Sequence, residues 1–208
     1  MPKPQLAKDP YNIIISGVGG QGNIMASRVI AGMLALNGYN ITIGETFGSS
    51  QRGGSVMSHI RVSQESVWSP QIPKCTADFI ISLEPSEAIR VLADYGNKNT
   101  VVVTNDRPVH SIQVISGAMN YPSNVQIEAF FAKYTARSYM VNATEEAIKL
   151  GAPILANIII IGASVGINLL PVDREDFKSI ISQQVKPQFV DKNVSAFDIG
   201  VKKVSTLK

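Results

Sequence analysis

The sequence predicts one three-layer α/β/α domain over residues 1–208, with a largely parallel sheet and a helical C-terminal third. Short β-branched runs alternate with helical patterns, which is typical of α/β proteins with parallel strands. A glycine-rich stretch, "GVGGQG", separates the first such run from the first helical pattern. The composition, 45% hydrophobic and 17% charged, is that of a well-buried globular chain. No repeat or linker divides it.

The first half of the chain predicts three strands and one helix. Tyr11–Ser16 is a β-branched run typical of a strand buried on both faces. Apolar positions from Asn23 to Asn37 follow helical spacing, and Asn37-Gly38 is a stop signal. The next strand is "YNITIG", and the alternation from Val56 to Val62 predicts another.

The second half predicts three more strands and then mostly helices. The strands are "ADFIISLEP", "TVVVTND" and "VQIEAF", and a helix over Ser86–Tyr95 separates the first two. Asp173 is a predicted N-cap, since aspartate accepts from free amides of a first turn. The predicted C-terminal helices are 144–150, 153–170 and 173–184, followed by a short helix or tail over 193–204.

One apolar stretch, Pro153–Leu170, is about as long as a membrane span. Asn157 and Asn168 interrupt it, and small residues at 162, 163 and 166 would let another backbone approach. It therefore predicts a buried helix, packed on the sheet or on another subunit. The polar N-terminus resembles no secretory signal, and the scattered charge of +3 does not favour nucleic acid. We expect a cytoplasmic protein that binds neither membrane nor nucleic acid.

The loop "GVGGQG" lies where a Rossmann-like fold binds a pyrophosphate. Glycines let backbone amides at a helix N-terminus approach an anion closely. Glu45 stands roughly where an NAD enzyme would place the acid that binds ribose. The loop is thus compatible with an anion or nucleotide site, with NAD, or with tight strand–helix packing alone.

Candidate catalytic groups are few. His59 lies in a predicted strand and His110 in a loop, and both are interpreted as structural or solvent-exposed. Cys75 is interpreted as a spare thiol. Because it is the only cysteine, the chain cannot supply the thiolates of an iron–sulfur cluster or a thiolate zinc site. Ser49, Ser50 and Ser55 lack the G-x-S-x-G context of a hydrolase nucleophile.

A second glycine loop follows the second strand, in "GETFGSSQRGGSVMSHIR". Glycines 48, 53 and 54 surround Arg52, whose guanidinium can donate two parallel hydrogen bonds to a phosphate or carboxylate. Both loops are expected at the carboxyl ends of strands, where they could line one crevice. The predicted ligand-contact residues are Gly17, Gly19, Gly20, Gln21, Gly22, Ser50, Gln51, Arg52, Gly53 and Gly54.

Together, "GVGGQG" and "SQRGGSV" with "SHIR" resemble the gamma-type subunit of 2-oxoacid:ferredoxin oxidoreductases. The Gln51-Arg52-Gly53-Gly54 form is most similar to the small (beta) subunit of indolepyruvate:ferredoxin oxidoreductases. The later segments "ADFIISLEPSEAIR", "ANIIIIGA" and "NVSAFDIG" also resemble the family, so the similarity covers essentially the whole chain.

The resemblance implies a noncatalytic subunit with a Rossmann-like fold. In such complexes thiamine diphosphate with Mg²⁺ and [4Fe–4S] clusters lie on partner subunits, ferredoxin accepts electrons, and coenzyme A accepts the acyl group. The implied assembly is a heterodimer with a large subunit, or a dimer of heterodimers. The two glycine loops would help to receive coenzyme A.

Departures from the family pattern leave the substrate open. Gly48-Ser49-Ser50 replaces the usual Gly-Met-(Ala or Ser) step, and Phe47 stands where histidine is frequent. Indolepyruvate, another aryl 2-oxo acid or an aliphatic one remain alternatives. A free-standing NAD(P)-dependent reductase and a plain interaction module are the competing functional hypotheses.

Overall fold

The computed structural model describes residues 5–47, 53–110 and 112–206, and Ser50, Gln51 and Arg52 of the predicted site lie outside these ranges. In the described residues six strands form one sheet. They are β1 (Tyr11–Val18), β2 (Asn40–Phe47), β3 (Ser55–Ser63), β4 (Phe79–Ser82), β5 (Val101–Asn105) and β6 (Arg137–Val141).

The helices flank this sheet. They are α1 (Asn23–Leu36), α2 (Pro85–Tyr95), α3 (Ile112–Ile115), α4 (Asn124–Tyr134), α5 (Ala143–Lys149), α6 (Ala156–Gly166), α7 (Arg174–Gln184) and α8 (Pro187–Ser205), with a 3₁₀ turn at Pro153–Leu155. Within the described ranges, no helix combines the length and apolar character needed to cross a membrane.

The strand order is β2-β3-β1-β4-β5-β6. Strands β1, β4, β5 and β6 are parallel neighbours, which confirms the predicted, largely parallel sheet. β3 is antiparallel to both of its neighbours and separates β1 from β2. The carboxyl ends of the four parallel strands therefore meet at one edge of the sheet, and the loops that follow them can form a single site.

Alternating residues of β1 divide the core into two layers. Ile13 and Ile15 pack in the larger cluster, with α1 and the C-terminal helices. Ile14 packs on the other face, with residues of α2 and α4. Because side chains alternate across a strand, a run of fully buried isoleucines requires helices on both faces. The predicted three-layer α/β/α architecture is confirmed.

The apolar stretch predicted as one long helix is the 3₁₀ turn followed by α6, which ends at Gly166. α6 is buried by α8 of the same chain. A Cβ atom on Gly162 would overlap the carbonyl oxygen of Phe197, and one on Gly200 would overlap that of Ile159. The two helix backbones are therefore in direct contact. The helix needs no second subunit for its burial.

The strand prediction for "VQIEAF" is wrong, because residues 124–134 form α4. Ser123 caps this helix, and its side chain forms a reciprocal capping box with Gln126. Ile127 and Phe131 are buried at the i, i+4 spacing of a helix, while Val125 is exposed. The sixth strand is instead β6, which the sequence reading missed.

The C-terminal end of the chain contains a longer helix than the sequence predicted. The suggested short helix or tail over 193–204 is part of α8, a helix of 19 residues. Phe197 of α8 stacks on Phe177 of α7 with ring centroids 4.3 Å apart. The predicted cap of α7 is confirmed, since the Asp173 carboxylate accepts from the amides of Glu175 and Asp176.

We expect Asp173→Ala to lower the free energy of unfolding by about 1 kcal/mol, the usual cost of losing an N-cap. Chemical denaturation measures this change. Asp173→Asn retains an acceptor and serves as the control, so equal destabilisation by both variants would contradict a capping role.

Candidate functional site

The first glycine loop joins the end of β1 to the start of α1. The Gln21 amide donates to the Val18 carbonyl at 3.2 Å, which closes a tight turn. Gly20 and Gly22 have φ angles of 103° and 88°, a region that favours glycine. Gly22 occupies the N-cap position of α1 and supplies no side-chain cap. The helix therefore begins with its dipole and free amides directed outward.

The loop glycines have different environments. A Cβ on Gly17 would lie 2.5 Å from Asn23 Oδ1, and one on Gly22 would overlap Asn157 Nδ2. Packing therefore requires glycine at both positions. Nothing lies within 4 Å of the corresponding Cβ position on Gly20, which lines an open crevice.

The Gln21 side chain shapes the loop from within. Its Oε1 accepts from the Val18 amide at 2.7 Å, and its Nε2 donates to the Leu83 carbonyl at 3.0 Å. Leu83 directly follows β4, so Gln21 links the ends of two neighbouring strands. These two hydrogen bonds fix the conformation of the turn where Gln21 lines the crevice.

The two glycine loops are in direct backbone contact. The Gly19 amide donates to the Gly54 carbonyl at 2.8 Å, and the Gly53 amide donates to the Gly19 carbonyl at 3.3 Å. Gly53 and Gly54 are the described end of the second loop. The structure therefore brings the described parts of the two predicted loops together beside the N-terminus of α1.

A crevice of about 300 Å³ lies along the carboxyl edge of the sheet. One wall consists of residues that follow the parallel strands, and the other belongs to the 3₁₀ turn and α6. Its lining residues are Gly20, Gln21, Leu83, Asn105, Arg107, Val109, Thr144, Pro153, Ile154, Ala156, Asn157 and Ile160.

Several polar groups at this crevice have no partner in the described part of the chain. In the described ranges, the amides of Gly20, Gly22 and the first turn of α1 donate no hydrogen bond. Asn157 is 2% exposed, and its side chain makes no hydrogen bond among the described residues. It lies against Gly22, at the α1 N-terminus. The exposed guanidinium of Arg107, at the rim, makes no ion pair with any described residue.

Such a set of groups is suited to an anion. Free amides at a helix N-terminus donate to negatively charged oxygens, and the helix dipole adds a favourable field. The Asn157 carboxamide can add a further donor from the opposite wall. Much of the remaining lining is apolar, which suits a ligand that carries both phosphate and uncharged portions.

Behind the loops, Glu84 is fully buried at the start of α2. Its carboxylate accepts from Ser86 Oγ at 2.6 Å, the Glu87 amide at 2.9 Å, the Val109 amide at 3.2 Å and the Tyr121 hydroxyl. Burial, together with this carboxylate, raises the pKa of Tyr121 well above its usual range. Tyr121 therefore remains a neutral hydrogen-bond donor.

The candidate acid–base groups of the sequence lie elsewhere. His59 is buried, its Nδ1 accepts from the Ile72 amide, and burial lowers its pKa. His110 is exposed against Tyr121. The exposed Cys75 precedes β4 at the opposite edge of the sheet. These positions agree with the structural interpretation of all three.

The acid proposed for ribose binding is displaced from the glycine loop. Glu45 pairs with Ser58 of β3, and Ser58 pairs on its other side with Ile15 of β1. Glu45 therefore lies two strand spacings, about 10 Å, from β1. In a dinucleotide-binding fold this acid lies on the strand adjacent to the first one. The NAD interpretation of the loop is not supported.

Residues that sequence reasoning missed come from distant segments. Asn157 was interpreted only as an interruption of an apolar stretch, and Arg107 and Glu84 received no function. Their common signal is a polar residue within or next to an apolar run. That signal does not indicate that the fold will bring these three residues to the same edge of the sheet.

A protein-family profile and a relative of known name both match nearly the whole chain. The sequence profile of the pyruvate ferredoxin/flavodoxin oxidoreductase family matches residues 12–203. A protein of Pyrococcus horikoshii named indolepyruvate oxidoreductase subunit IorB is 37% identical over 193 residues, which is 92% of this chain and 95% of that protein.

Solved structures agree in fold. The gamma subunit of a keto/oxoacid ferredoxin oxidoreductase from Geobacter sulfurreducens matches with a TM-score of 0.66 and 22% identity, over 94% of this chain and 99% of that one. A 2-oxoglutarate:ferredoxin oxidoreductase from Magnetococcus marinus, solved with 2-oxoglutarate, coenzyme A and succinyl-CoA bound, matches with a TM-score of 0.75 and 20% identity. That match covers 97% of this chain and 32% of the longer one.

Proposed function

Since the chain belongs to the pyruvate ferredoxin/flavodoxin oxidoreductase family and is a small subunit of a 2-oxoacid:ferredoxin oxidoreductase, we propose that its crevice receives the phosphate groups of coenzyme A. The chain is the noncatalytic subunit of a complex that converts an aryl 2-oxo acid and coenzyme A into an acyl-CoA and carbon dioxide. The two electrons released pass to ferredoxin.

The meeting of the two glycine loops carries this proposal. Gly19 exchanges backbone hydrogen bonds with Gly53 and Gly54 beside the uncapped N-terminus of α1. Asn157, buried and without a hydrogen-bond partner in the described residues, faces the same helix end. Coenzyme A carries a pyrophosphate and a 3′-phosphate, and such groups accept hydrogen bonds from helix N-termini.

The redox groups of the complex lie on a larger partner subunit. A [4Fe–4S] cluster requires thiolate ligands, and this chain has only Cys75. Within the described residues, no group of three or more histidine, cysteine, aspartate or glutamate side chains is arranged to bind a metal ion. Thiamine diphosphate with Mg²⁺, which supplies the carbanion chemistry of decarboxylation, is likewise assigned to the partner. The assembly is a cytoplasmic heterodimer or a dimer of heterodimers.

The name of one relative supports the proposed substrate class. The Pyrococcus horikoshii protein is an indolepyruvate oxidoreductase subunit by name, and its 37% identity extends over nearly the whole chain. Phe47 and Gly48-Ser49-Ser50 depart from the family pattern, so the proposal is the wider class of aryl 2-oxo acids. Turnover of indolepyruvate, phenylpyruvate and pyruvate by the assembled complex separates the alternatives.

Asn157→Asp tests the anion site. The substitution preserves the shape of the side chain and adds a negative charge beside the α1 N-terminus. A like charge about 8 Å away costs roughly 2 kcal/mol at an effective dielectric constant of 20. We expect the KM for coenzyme A to rise at least tenfold in the complex with the large subunit, while the KM for the 2-oxo acid stays constant.

Asn157→Ser is the matched neutral control, because it removes the amide without adding charge. It should raise the KM for coenzyme A much less than the aspartate variant does. Thermal melting and co-purification establish that both complexes are intact. An unchanged KM in an intact Asn157→Asp complex would rule out phosphate binding in this crevice.

A further inference from the structure

Three loops at the carboxyl edge of the sheet are attached to one short segment, residues 83–87, which we call the α2 turn. It follows β4, a central strand of the sheet. The Leu83 carbonyl accepts from Gln21 Nε2 of the first glycine loop at 3.0 Å. It also accepts from Asn105 Nδ2, at the end of β5, at 3.4 Å.

The second attachment is made by Glu84. Its Oε1 accepts from the Val109 amide and the Tyr121 hydroxyl. Both donors belong to the segment between β5 and α4, which also contributes Arg107 to the crevice. The buried carboxylate thus fixes the segment that forms the far rim.

The third attachment is made by Glu87 and concerns the second glycine loop. Ser55, the first residue of β3, donates its hydroxyl to Glu87 Oε1 at 2.6 Å. The other carboxylate oxygen accepts from Arg90 Nε and Nη2 at 3.0 and 2.7 Å. Glu87 is only 8% exposed. Arg90 therefore balances its charge and fixes its orientation, and Glu87 becomes a rigid acceptor for Ser55.

We infer that Glu87 is a positioning residue that sets the second glycine loop through Ser55. Gly53 and Gly54 have no side chains, so Ser55 is the first residue after them whose side chain can anchor the loop. Ser55 pairs in register with Val18, the last residue of β1. Its bond to Glu87 therefore spans the end of β1 and holds the two glycine loops at their mutual contact. The consequence for coenzyme A rests on the function proposed above.

Ser55→Ala in the complex with the large subunit tests this role. Loss of one hydrogen bond corresponds to roughly a three- to tenfold effect, so we expect the KM for coenzyme A to rise by that factor. The kcat and the KM for the 2-oxo acid should not change. Ser55→Thr retains the hydroxyl and should restore the KM.

A second readout does not depend on coenzyme A. Hydrogen exchange of the Gly19 and Gly53 amides, measured in the same complex, reports the contact between the loops directly. We expect both amides to exchange faster in Ser55→Ala and normally in Ser55→Thr. Ser164→Ala removes a buried serine hydrogen bond to the Ile160 carbonyl within α6 and is the matched control that should leave both readouts unchanged.

The outcomes separate the two proposals. Unchanged exchange of Gly19 and Gly53 in Ser55→Ala would overturn the positioning role of Glu87, whatever the kinetics. Faster exchange with an unchanged KM for coenzyme A would support that role and overturn the assignment of coenzyme A to the loops. Faster exchange together with a higher KM for coenzyme A, both reversed by Ser55→Thr, would support the positioning role and the assignment of coenzyme A to the loops.

Discussion

Gly162→Leu is expected to lower the free energy of unfolding by about 3 kcal/mol, the upper end of the usual cost of overpacking. A Cβ at this position would already overlap the Phe197 carbonyl oxygen. The obstacle is backbone, so no change of side-chain rotamer can relieve it. α6 and α8 must separate, and the buried apolar surface between them would open. Urea denaturation of the purified subunit measures the change.

The outer face of α8 provides the control. Ser195 is exposed on this helix, and Ser195→Leu adds a leucine there without meeting α6. We expect it to leave the unfolding midpoint almost unchanged. Equal midpoints for Gly162→Leu and the unmodified chain would show that the two helices are more loosely packed than the structure indicates.

Arg52→Ala is expected to raise the KM for coenzyme A ten- to a hundredfold in the assembled enzyme. The substitution would remove the hydrogen bonds from Arg52 to a phosphate of coenzyme A, and a hydrogen bond to a charged group contributes about 1.5–3 kcal/mol. Arg52 lies outside the described residues, but Gly53, which follows it, is bonded to Gly19 of the first loop. Steady-state kinetics with varied coenzyme A measures the effect. The early decarboxylation steps, which do not need coenzyme A, should change little.

Two variants sharpen the Arg52 experiment. Arg52→Lys retains the charge but loses the two-pronged geometry, so it should restore the KM only in part. Arg28 is exposed on α1, and Arg28→Ala removes one positive charge away from the loops as a control. Normal dependence on coenzyme A in Arg52→Ala would exclude Arg52 from the binding site. Dissociation of the complex would instead identify its loop as a subunit contact.

Local sequence signals predicted the elements nearest the site. The β-branched run of β1, the glycines after it and the apolar spacing of α1 all favour the same strand–loop–helix unit. Asp173 was predicted as a cap because its side chain acts on amides two and three residues away. The similarity to 2-oxoacid oxidoreductase small subunits, carried by the two loops, is confirmed.

The strand predicted for "VQIEAF" was wrong because its apolar pattern is compatible with either a strand or a helix. In "VQIEAF" the apolar residues alternate, which favours a strand when only this stretch is considered. Two residues decide against it: Ser123, which caps the helix, and Phe131, which extends the helical spacing from Ile127. β6 was missed because only Tyr139 and Val141 of its five residues are buried, so its apolar signal is weak.

The remaining part of the site depends on topology, which short-range patterns do not specify. β3 inserts between β1 and β2, and this pairing separates Glu45 from the glycine loop. The same arrangement brings Ser55 to Glu87, across 32 positions of the chain. Asn157 reaches the α1 N-terminus only because α6 packs over the end of the sheet. No local period in the sequence encodes these contacts.

The exposed thiol of Cys75, which precedes β4, offers a practical means of observing this subunit. Cys75 is the only cysteine in the chain, so a maleimide fluorophore would attach at one defined position. Four residues of β4, a length of about 13 Å, separate the amino edge where it lies from the carboxyl edge that holds the crevice. Anisotropy of the attached dye would therefore report association with a large subunit, while the crevice remains open to ligands.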